Sequence, residues 1–530
     1  MKIEINPKDF MLILLILVGL VFILETNVAI KTHITFGDEG FHAAVARWIT
    51  ENKEYPQWDQ LGYTNVFKTN YARPPLFNLL GAGFLFVFGQ HEIILKILPS
   101  LISALIVITL YILVKRLYNK EIGLISSLIL FGLSSFVTYT VLVLDEILFA
   151  FYILLFIFTF LLAIKENNRK YWILSAIFGG LSILTKNAGM ILFVFVGLAF
   201  LYITLKERKF FYYIKQFTAF LIIILLISGP FFLRTYAFYN TPTCYGIPFF
   251  PIDVSGCEIR NFKEQRAFEV RTLSGGSENS IMSFGLLNYI QFAYGNYWFI
   301  LMGLFGGLIV FVKKWDKMAP FILTMLLLGL VVLYQITQRT EDAARQLLPW
   351  ASLVAVVSAM YWNEIYAFLE KYVKYSGVVV IVLILFFGYQ NITNKLQVME
   401  SVKRFSPLFF EACDWVKENL DRDVRLMTFW GYRASYSCQR TISPGWPDIR
   451  LNDNPEDTVS ISKMHGITHF FIQKFSITQQ PSRESYSIEF VQLLENNSDK
   501  FEKIFENGPP LGQCLQQGGC DGNIIYKVIY

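Results

Sequence analysis

The stretch "FMLILLILVGLVFILETNVAI", residues 10–30, is followed a few residues later by "FGDEGFHAAVARWI", residues 36–49. The first stretch is apolar and long enough to cross a bilayer as a helix, for which about 20 residues are needed. The second places the carboxylates Asp38 and Glu39 side by side and continues with the spacing of an amphipathic helix. This order predicts a membrane protein with a polar site beside its first span.

Composition extends this prediction to the whole chain. Of its 530 residues, 54% are hydrophobic and 16% are charged, whereas roughly 25% of residues are charged in soluble proteins. The net charge of +5 comes from dispersed basic clusters, which does not favour a nucleic-acid partner. About eleven segments are long enough to span a membrane, near residues 10–30, 97–114, 122–141, 147–164, 171–185, 188–205, 217–238, 290–312, 319–336, 347–366 and 377–391. We therefore predict an all-α polytopic bundle.

The short basic loops predict its orientation. Lys and Arg cluster near residues 115–120, 165–170, 206–215, 313–317 and 371–374, which are alternate loops. Cytoplasmic loops carry such an excess, so these five loops and the amino terminus are expected inside. The first span lacks a cleavage pattern and is expected to remain as an anchor. The chain is then a multi-pass cell membrane protein whose carboxy-terminal region is extracytoplasmic.

The cysteines agree with this orientation. All six, at positions 244, 257, 413, 438, 514 and 520, fall on the predicted external side, where disulfides persist. Cys244 with Cys257 and Cys514 with Cys520 are near enough in sequence to pair locally. Other connectivities, and unpaired thiols, remain open at this point.

Two regions are expected along the chain. Residues 1–394 form the transmembrane module, and its external loop 31–96 carries helices that lie along the membrane surface. Residues 395–530 read as a small extracytoplasmic α/β domain. Its helical stretch is "SPLFFEACDWVKENL" (406–420), and its strands are "DVRLMTFWG" (423–431), "ITHFFIQ" (467–473) and "GNIIYKVIY" (522–530).

Ionisable residues recur at the predicted outer ends of the spans. They are Asp38, Glu39, Arg73, Asp145, Glu146, Lys186, Arg234, Arg339, Glu341, Asp342 and Arg345. A charge beside a span is costly to bury, so acids and bases at several neighbouring helix ends suggest one polar cavity. For any single residue, the alternative is an interfacial charge that reaches the headgroups.

An ordered set of motifs resembles the GT-C fold glycosyltransferases, in particular the protein O-mannosyltransferase and aminoarabinose transferase type. The set contains the Asp-Glu pair in a long external loop, "RPPL" (73–76), an acid at 145, "LTKNAG" (184–189), "GPFFLRTYAFYNTP" (229–242) and "RQLLPW" (345–350). The resemblance covers residues 10 to about 360. It implies an inverting transfer of a monosaccharide from a polyprenyl-phosphate donor to an extracytoplasmic hydroxyl of a protein, lipid or glycan.

Roles for individual residues follow from this resemblance. Asp38 matches the catalytic acid-base position, with Glu39 beside it and Asp145 at the second acidic position. Arg73, Lys186 and Arg345 match positions that bind the donor phosphate, although Arg73 replaces the Lys common before "PPL" in the aminoarabinose transferases. His42, Glu146 and Arg234 are further candidates for substrate contacts. No cofactor is required, and a divalent metal, if one is used, would lie between Asp38 and Asp145.

Two other classes of protein are alternatives to this interpretation. An oligosaccharyltransferase-like enzyme would use a lipid-pyrophosphate donor and a metal held by several acids. A lipid-linked sugar transporter or flippase would place its charges near mid-membrane and often contain internal repeats, neither of which the sequence shows. The glycosyltransferase with a lipid-phosphate sugar donor is the interpretation that the motifs favour.

Overall fold

The structure is a computed structural model that describes residues 7–34, 37–56, 70–244, 297–313, 318–336, 345, 347–372, 376–402, 406–428, 431–443, 449, 454–478, 486–517 and 520–530. Long helices dominate residues 7–402. They are α1 (Pro7–Lys31), α2 (Gly37–Asn52), α3 (Leu76–Phe88), α4 (Glu92–Leu117), α5 (Lys120–Gly132), α6 (Ser134–Tyr139), α7 (Asp145–Glu166), α8 (Arg169–Thr185), α9 (Ile191–Glu207), α10 (Phe210–Tyr239), α11 (Tyr297–Lys313), α12 (Ala319–Ile336), α13 (Ala351–Leu369) and α14 (Ser376–Val402).

Six helical segments in the described ranges are long and apolar enough to cross a membrane. They are Leu14–Lys31, Glu92–Leu117, Asp145–Glu166, Asn187–Glu207, Phe210–Tyr239 and Leu348–Leu369. The chain is therefore a multi-pass membrane protein. Helices also occupy the described parts of the other predicted spans, with one break described below, but the total of eleven spans stays a prediction.

One predicted span, residues 122–141, is not a continuous helix. Helix α5 ends at Gly132, Leu133 is extended, and the short α6 follows. Gly132 lies against Gly388 of α14, where an added Cβ would come within 3.1 Å of the Gly388 Cα. Its carbonyl accepts a hydrogen bond from the Asn391 side chain at 2.8 Å. This close approach provides a partner for a carbonyl at the end of α5 and so stabilises the break.

Among the six candidate spans of the described residues, α7 is the most buried. It packs between α4 and α8, and Phe156 and Phe160 on it meet Phe195 and Phe220 edge to face. Such aromatic contacts stabilise a core beyond the effect of area alone. The first residues of α7, Asp145 and Glu146, are consequently held by a rigid element.

The loop after α1 returns to the bundle before the next long helix. Helix α2 packs against α3, which begins directly after Pro74 and Pro75. The segment before α2 is hydrogen-bonded to the start of α4: the Ile34 N–H donates to Glu92 Oε1 at 2.8 Å. Lys96, one turn later, donates to the Thr32 carbonyl and pairs with Glu92 at 3.1 Å. These contacts fix where Asp38 and Glu39 stand.

Residues 406–530, which we call the C-terminal region, form a mixed sheet with helices. The strands are β1 (Arg425–Met427), β2 (Thr441–Ser443), β3 (His469–Gln473), β4 (Ile477–Thr478), β5 (Tyr486–Ser487), β6 (Phe501–Asn507) and β7 (Asn523–Val528). The helices are α15 (Pro407–Asn419), α16 (Gly431–Cys438), α17 (Pro455–Met464), α18 (Ile488–Asn496) and α19 (Leu511–Gln517). The main sheet has the order β2-β1-β3-β7-β6. Its pairs β1–β2 and β1–β3 are parallel, whereas β3–β7 and β6–β7 are antiparallel.

Disulfides join Cys413 to Cys438 and Cys514 to Cys520. The first pair links α15 to α16, a connection that sequence proximity did not suggest. Cys257 lies outside the described residues, so the pair Cys244–Cys257 stays a prediction.

Candidate functional site

Asp38 and Glu39 occupy the first turn of α2 and take different partners. The Asp38 Oδ2 accepts a hydrogen bond from Arg345 Nη2 at 2.9 Å, and its Oδ1 lies 3.6 Å from Arg73 Nη1. Glu39 is fully buried and accepts from the Val143 N–H at 2.8 Å. Adjacent residues on an α-helix point about 100° apart, since 3.6 residues make one turn. Asp38 therefore joins the ion pairs, while Glu39 anchors the segment before α7.

The start of α7 brings two more carboxylates to the same place. Lys186, directly after α8, lies with its Nζ 2.5 Å from Glu146 Oε1 and 3.7 Å from Asp145 Oδ1. Arg345 Nε also donates to Glu146 Oε1. Glu146 is fully buried, so its charge depends on these two cations.

Arg345 connects the two halves of the site. Its guanidinium contacts Asp38 of α2 and Glu146 of α7 through different nitrogens, which uses the fork geometry of arginine. The structure thus brings together six predicted residues: Asp38, Arg73, Asp145, Glu146, Lys186 and Arg345. We call these six residues the charged cluster. Arg339, Glu341 and Asp342 lie outside the described residues.

Opposite charges within the charged cluster shift the pKa values of Asp38 and Arg345. Burial raises the pKa of the Asp38 carboxyl, but the guanidinium groups of Arg345 and Arg73 outweigh it and hold that pKa well below its usual range. Burial by itself would lower the pKa of Arg345, whereas Glu146 and Asp38 raise it well above the ordinary value. Asp38 is thus fully ionised near neutral pH, with its negative charge compensated.

His42 lies one helical turn after Asp38, as expected, but its direct partner is Asn78 of α3. The His42 Nδ1 and Asn78 Oδ1 are 2.7 Å apart, and Asn78 Nδ2 donates to the Tyr55 hydroxyl at 3.1 Å. Sequence reasoning did not identify Asn78 or Tyr55, because neither belongs to a charged motif. Asn78 stands two residues after "RPPL", and a polar residue in this apolar helix is the signal that could have found it.

Arg234 does not enter the charged cluster. Its Nη2 donates to the carbonyls of Tyr71 and Arg73 at 3.2 and 3.4 Å. Its guanidinium lies 4.8 Å from the Tyr71 ring centroid and 5.2 Å from that of Tyr55. Arg234 therefore supports the backbone that carries Arg73, through the Arg73 carbonyl rather than its guanidinium.

A stability prediction follows from the burial of His42. Burial is the main cause that lowers its pKa to about 4, with Asp38, Arg73, Glu146 and Asn78 around it. A group with a lower pKa in the folded state binds fewer protons than in the unfolded chain, so stability falls as the pH drops from about 6.5 towards 4. Full protonation of His42 should lower the free energy of unfolding by about 3 kcal/mol in total. His42→Gln should remove much of this loss.

The measurement is the thermal unfolding of purified protein in detergent between pH 7 and pH 4.5. His91→Gln is the matched control, because His91 is exposed and should retain the wild-type pH dependence. An unchanged pH dependence in His42→Gln would show that the pKa of His42 is the same in the folded and unfolded states.

The carboxylates of the charged cluster, including the predicted metal ligands Asp38 and Asp145, are paired with side-chain cations. Each carboxylate that could bind a metal lies within 4 Å of a side-chain cation: Asp38 of Arg345 and Arg73, Asp145 of Lys186, and Glu146 of Lys186 and Arg345. Across the residues that the structure describes, no group of three His, Cys, Asp or Glu side chains could hold a metal ion. Cationic side chains in these positions repel a metal and favour an anion instead.

A family model described as dolichyl-phosphate-mannose-protein mannosyltransferase matches residues 72–232, which include Arg73, Asp145, Glu146 and Lys186. A search of curated protein sequences finds no match.

Solved structures share the fold at low sequence identity. ArnT from Cupriavidus metallidurans, bound to undecaprenyl phosphate, has a TM-score of 0.64 at 12% identity, with 97% of each chain covered. The oligosaccharyltransferase from Archaeoglobus fulgidus in its apo form has a TM-score of 0.65 at 12% identity, covering 94% of this chain and 81% of that one. AglB from the same organism, in complex with an inhibitory peptide and a dolichol-phosphate, has a TM-score of 0.61 at 14% identity, covering 86% and 69%.

These neighbours are GT-C fold glycosyltransferases, so the chain is a multi-pass membrane protein with the GT-C fold. The family match confirms the resemblance read from the sequence to the mannosyltransferase and aminoarabinose transferase type.

Proposed function

We propose that the protein is an inverting glycosyltransferase that moves a monosaccharide from a polyprenyl-phosphate donor to an extracytoplasmic hydroxyl of a protein, lipid or glycan. The charged cluster carries this proposal, because it holds three cations beside a carboxylate that can accept a proton. The GT-C fold, and the phosphate lipids bound by ArnT and AglB, support the donor class.

The donor phosphate would replace carboxylates as the partner of the cations. Arg345, Arg73 and Lys186 would then bind the phosphate oxygens and stabilise the charge that develops on the leaving group. Loss of Arg345 and Arg73 as direct partners raises the pKa of Asp38 towards its ordinary range, since these two side chains hold it down in the free protein. Donor binding would thereby make Asp38 a stronger base.

Sugar transfer then needs one proton movement and one bond exchange. Asp38 takes the proton of the acceptor hydroxyl while that oxygen attacks the anomeric carbon. The bond from the anomeric carbon to the phosphate oxygen breaks, and its electron pair leaves with the polyprenyl phosphate. Attack opposite the leaving group inverts the anomeric centre, and no cofactor is consumed.

The proposal includes no metal, in keeping with the cations that already accompany each carboxylate of the charged cluster. It also places the site and the C-terminal region outside the cytoplasm. The disulfide Cys413–Cys438 supports that side, since disulfides form in oxidising compartments.

The test uses the full-length protein in nanodiscs with synthetic polyprenyl-phosphate monosaccharides and a set of hydroxyl acceptors. We expect acceptor-dependent release of polyprenyl phosphate in the presence of a metal chelator and, by NMR, a product with inverted anomeric configuration. Transfer from a lipid-pyrophosphate oligosaccharide that a chelator abolishes would instead establish the oligosaccharyltransferase-like alternative.

A further inference from the structure

Two apolar residues of helix α2, Phe41 and Val45, lie on the same side of the helix as Asp38, three and seven residues after it. Phe41 and Val45, one turn apart on this helix, are fully buried and belong to one apolar cluster with Phe409 of α15 and Cys438 of α16. The disulfide from Cys438 to α15 lies in the same cluster. The C-terminal region therefore packs directly on α2, whose first turn carries Asp38, the proposed base.

A polar contact strengthens this packing. Arg47, farther along α2, donates from Nη2 to the Tyr436 carbonyl at 3.3 Å and lies with its guanidinium 4.9 Å from the Tyr436 ring centroid. Helix α16 thus holds α2 through both apolar and polar side chains. The position of Phe41 is consequently determined by two parts of the chain that are far apart in sequence.

The ring of Phe41 also contacts the charged cluster. The Arg73 guanidinium lies 4.3 Å from the centroid of that ring, and the same guanidinium approaches Asp38 at 3.6 Å. A cation over an aromatic face is attracted by the ring quadrupole. Because an arginine side chain has several rotatable bonds, a fixed ring beneath its guanidinium restricts where the charge can stand.

We propose that Phe41 is a positioning residue: its ring, held by the C-terminal region, fixes the Arg73 guanidinium beside Asp38 for the donor phosphate. The inference rests on the proposed function in giving Arg73 a phosphate to bind. The contact between ring and guanidinium can be tested without any donor.

The matched pair of variants is Phe41→Leu and Phe409→Leu. Both remove an aromatic ring from the same apolar cluster, and both should lower the thermal stability. Phe41 contacts Arg73, whereas the Phe409 ring meets Phe410 and Phe471. In full-length protein without ligand, we expect phenylglyoxal to modify Arg73 several-fold faster in Phe41→Leu, measured by mass spectrometry, and at the wild-type rate in Phe409→Leu. Equal modification rates of Arg73 in Phe41→Leu and wild type would overturn the inference.

Kinetics provide the second readout. Phe41→Leu should raise the donor KM about 3- to 10-fold, within the range of a cation–π contact, whereas Phe409→Leu should leave KM unchanged. Phe41→Tyr, which keeps the ring, should restore the wild-type KM. In an Arg73→Gln background, Phe41→Leu should cause no further rise, because the two residues act as one unit. Additive effects on KM would contradict the inference.

The two proposals fail separately. Absence of sugar transfer from lipid-phosphate donors would overturn the proposed function, while the modification rates of Arg73 would still decide the role of Phe41.

Discussion

Asp38→Asn is expected to lower kcat for sugar transfer by about 10²- to 10⁴-fold, the contribution of a positioned general base. Asparagine keeps an oxygen for the hydrogen bond from Arg345 Nη2 but cannot take a proton. The donor KM should stay the same or fall, because the neutral amide competes less with phosphate for Arg345 and Arg73. Initial rates with a polyprenyl-phosphate sugar at several donor concentrations provide both parameters.

Two variants control this prediction. Asp421→Asn changes an exposed acid of the C-terminal region and should behave as wild type. Glu39→Gln should lower kcat far less than Asp38→Asn does, since a glutamine oxygen can still accept a hydrogen bond from the Val143 N–H. A wild-type kcat for sugar transfer in folded Asp38→Asn protein would exclude Asp38 as the base and leave the other acids of the charged cluster as candidates.

Arg345→Ala should affect both binding and stability. The change removes a cation from the proposed phosphate site and leaves Asp38 and the fully buried Glu146 without their shared partner. Removing one member of a buried ion pair destabilises a protein by about 3–5 kcal/mol. The donor KM should rise by more than about tenfold, because each lost charge-assisted hydrogen bond contributes roughly 1.5–3 kcal/mol.

The matched control is Arg116→Ala. Arg116 forms a two-pronged ion pair with Glu166, at 2.7 and 2.9 Å, but on an exposed surface. Surface ion pairs contribute little to stability, so Arg116→Ala should leave the melting temperature and donor KM near their wild-type values. Thermal unfolding in detergent and donor titrations compare the two variants. If Arg345→Ala had no more effect than Arg116→Ala, Arg345 would not join the two halves of the site.

Much of the helical architecture could be predicted because its causes are local. A long apolar run in a membrane has to pair its own backbone groups, and a helix does this within one segment. The break near Leu133 could not be read in the same way, since the approach of Gly132 to Gly388 joins residues that are distant in sequence. Cys413–Cys438 was missed for a similar reason: packing of α15 on α16, rather than short spacing, brings these thiols together.

The charges at the helix ends and the family that they resemble could be predicted from the sequence, because motifs and hydropathy depend on local order along the chain. How those charges pair depends on the folded chain and could not be predicted in this way. Arg345 is 307 positions from Asp38 and 199 from Glu146, and the folding of three separate segments makes it their common partner. The orientation of α2 about its axis likewise separates two neighbouring carboxylates: Asp38 contacts the cations, and Glu39 contacts Val143. The direction of each side chain depends on how the helix packs as well as on its position in the chain.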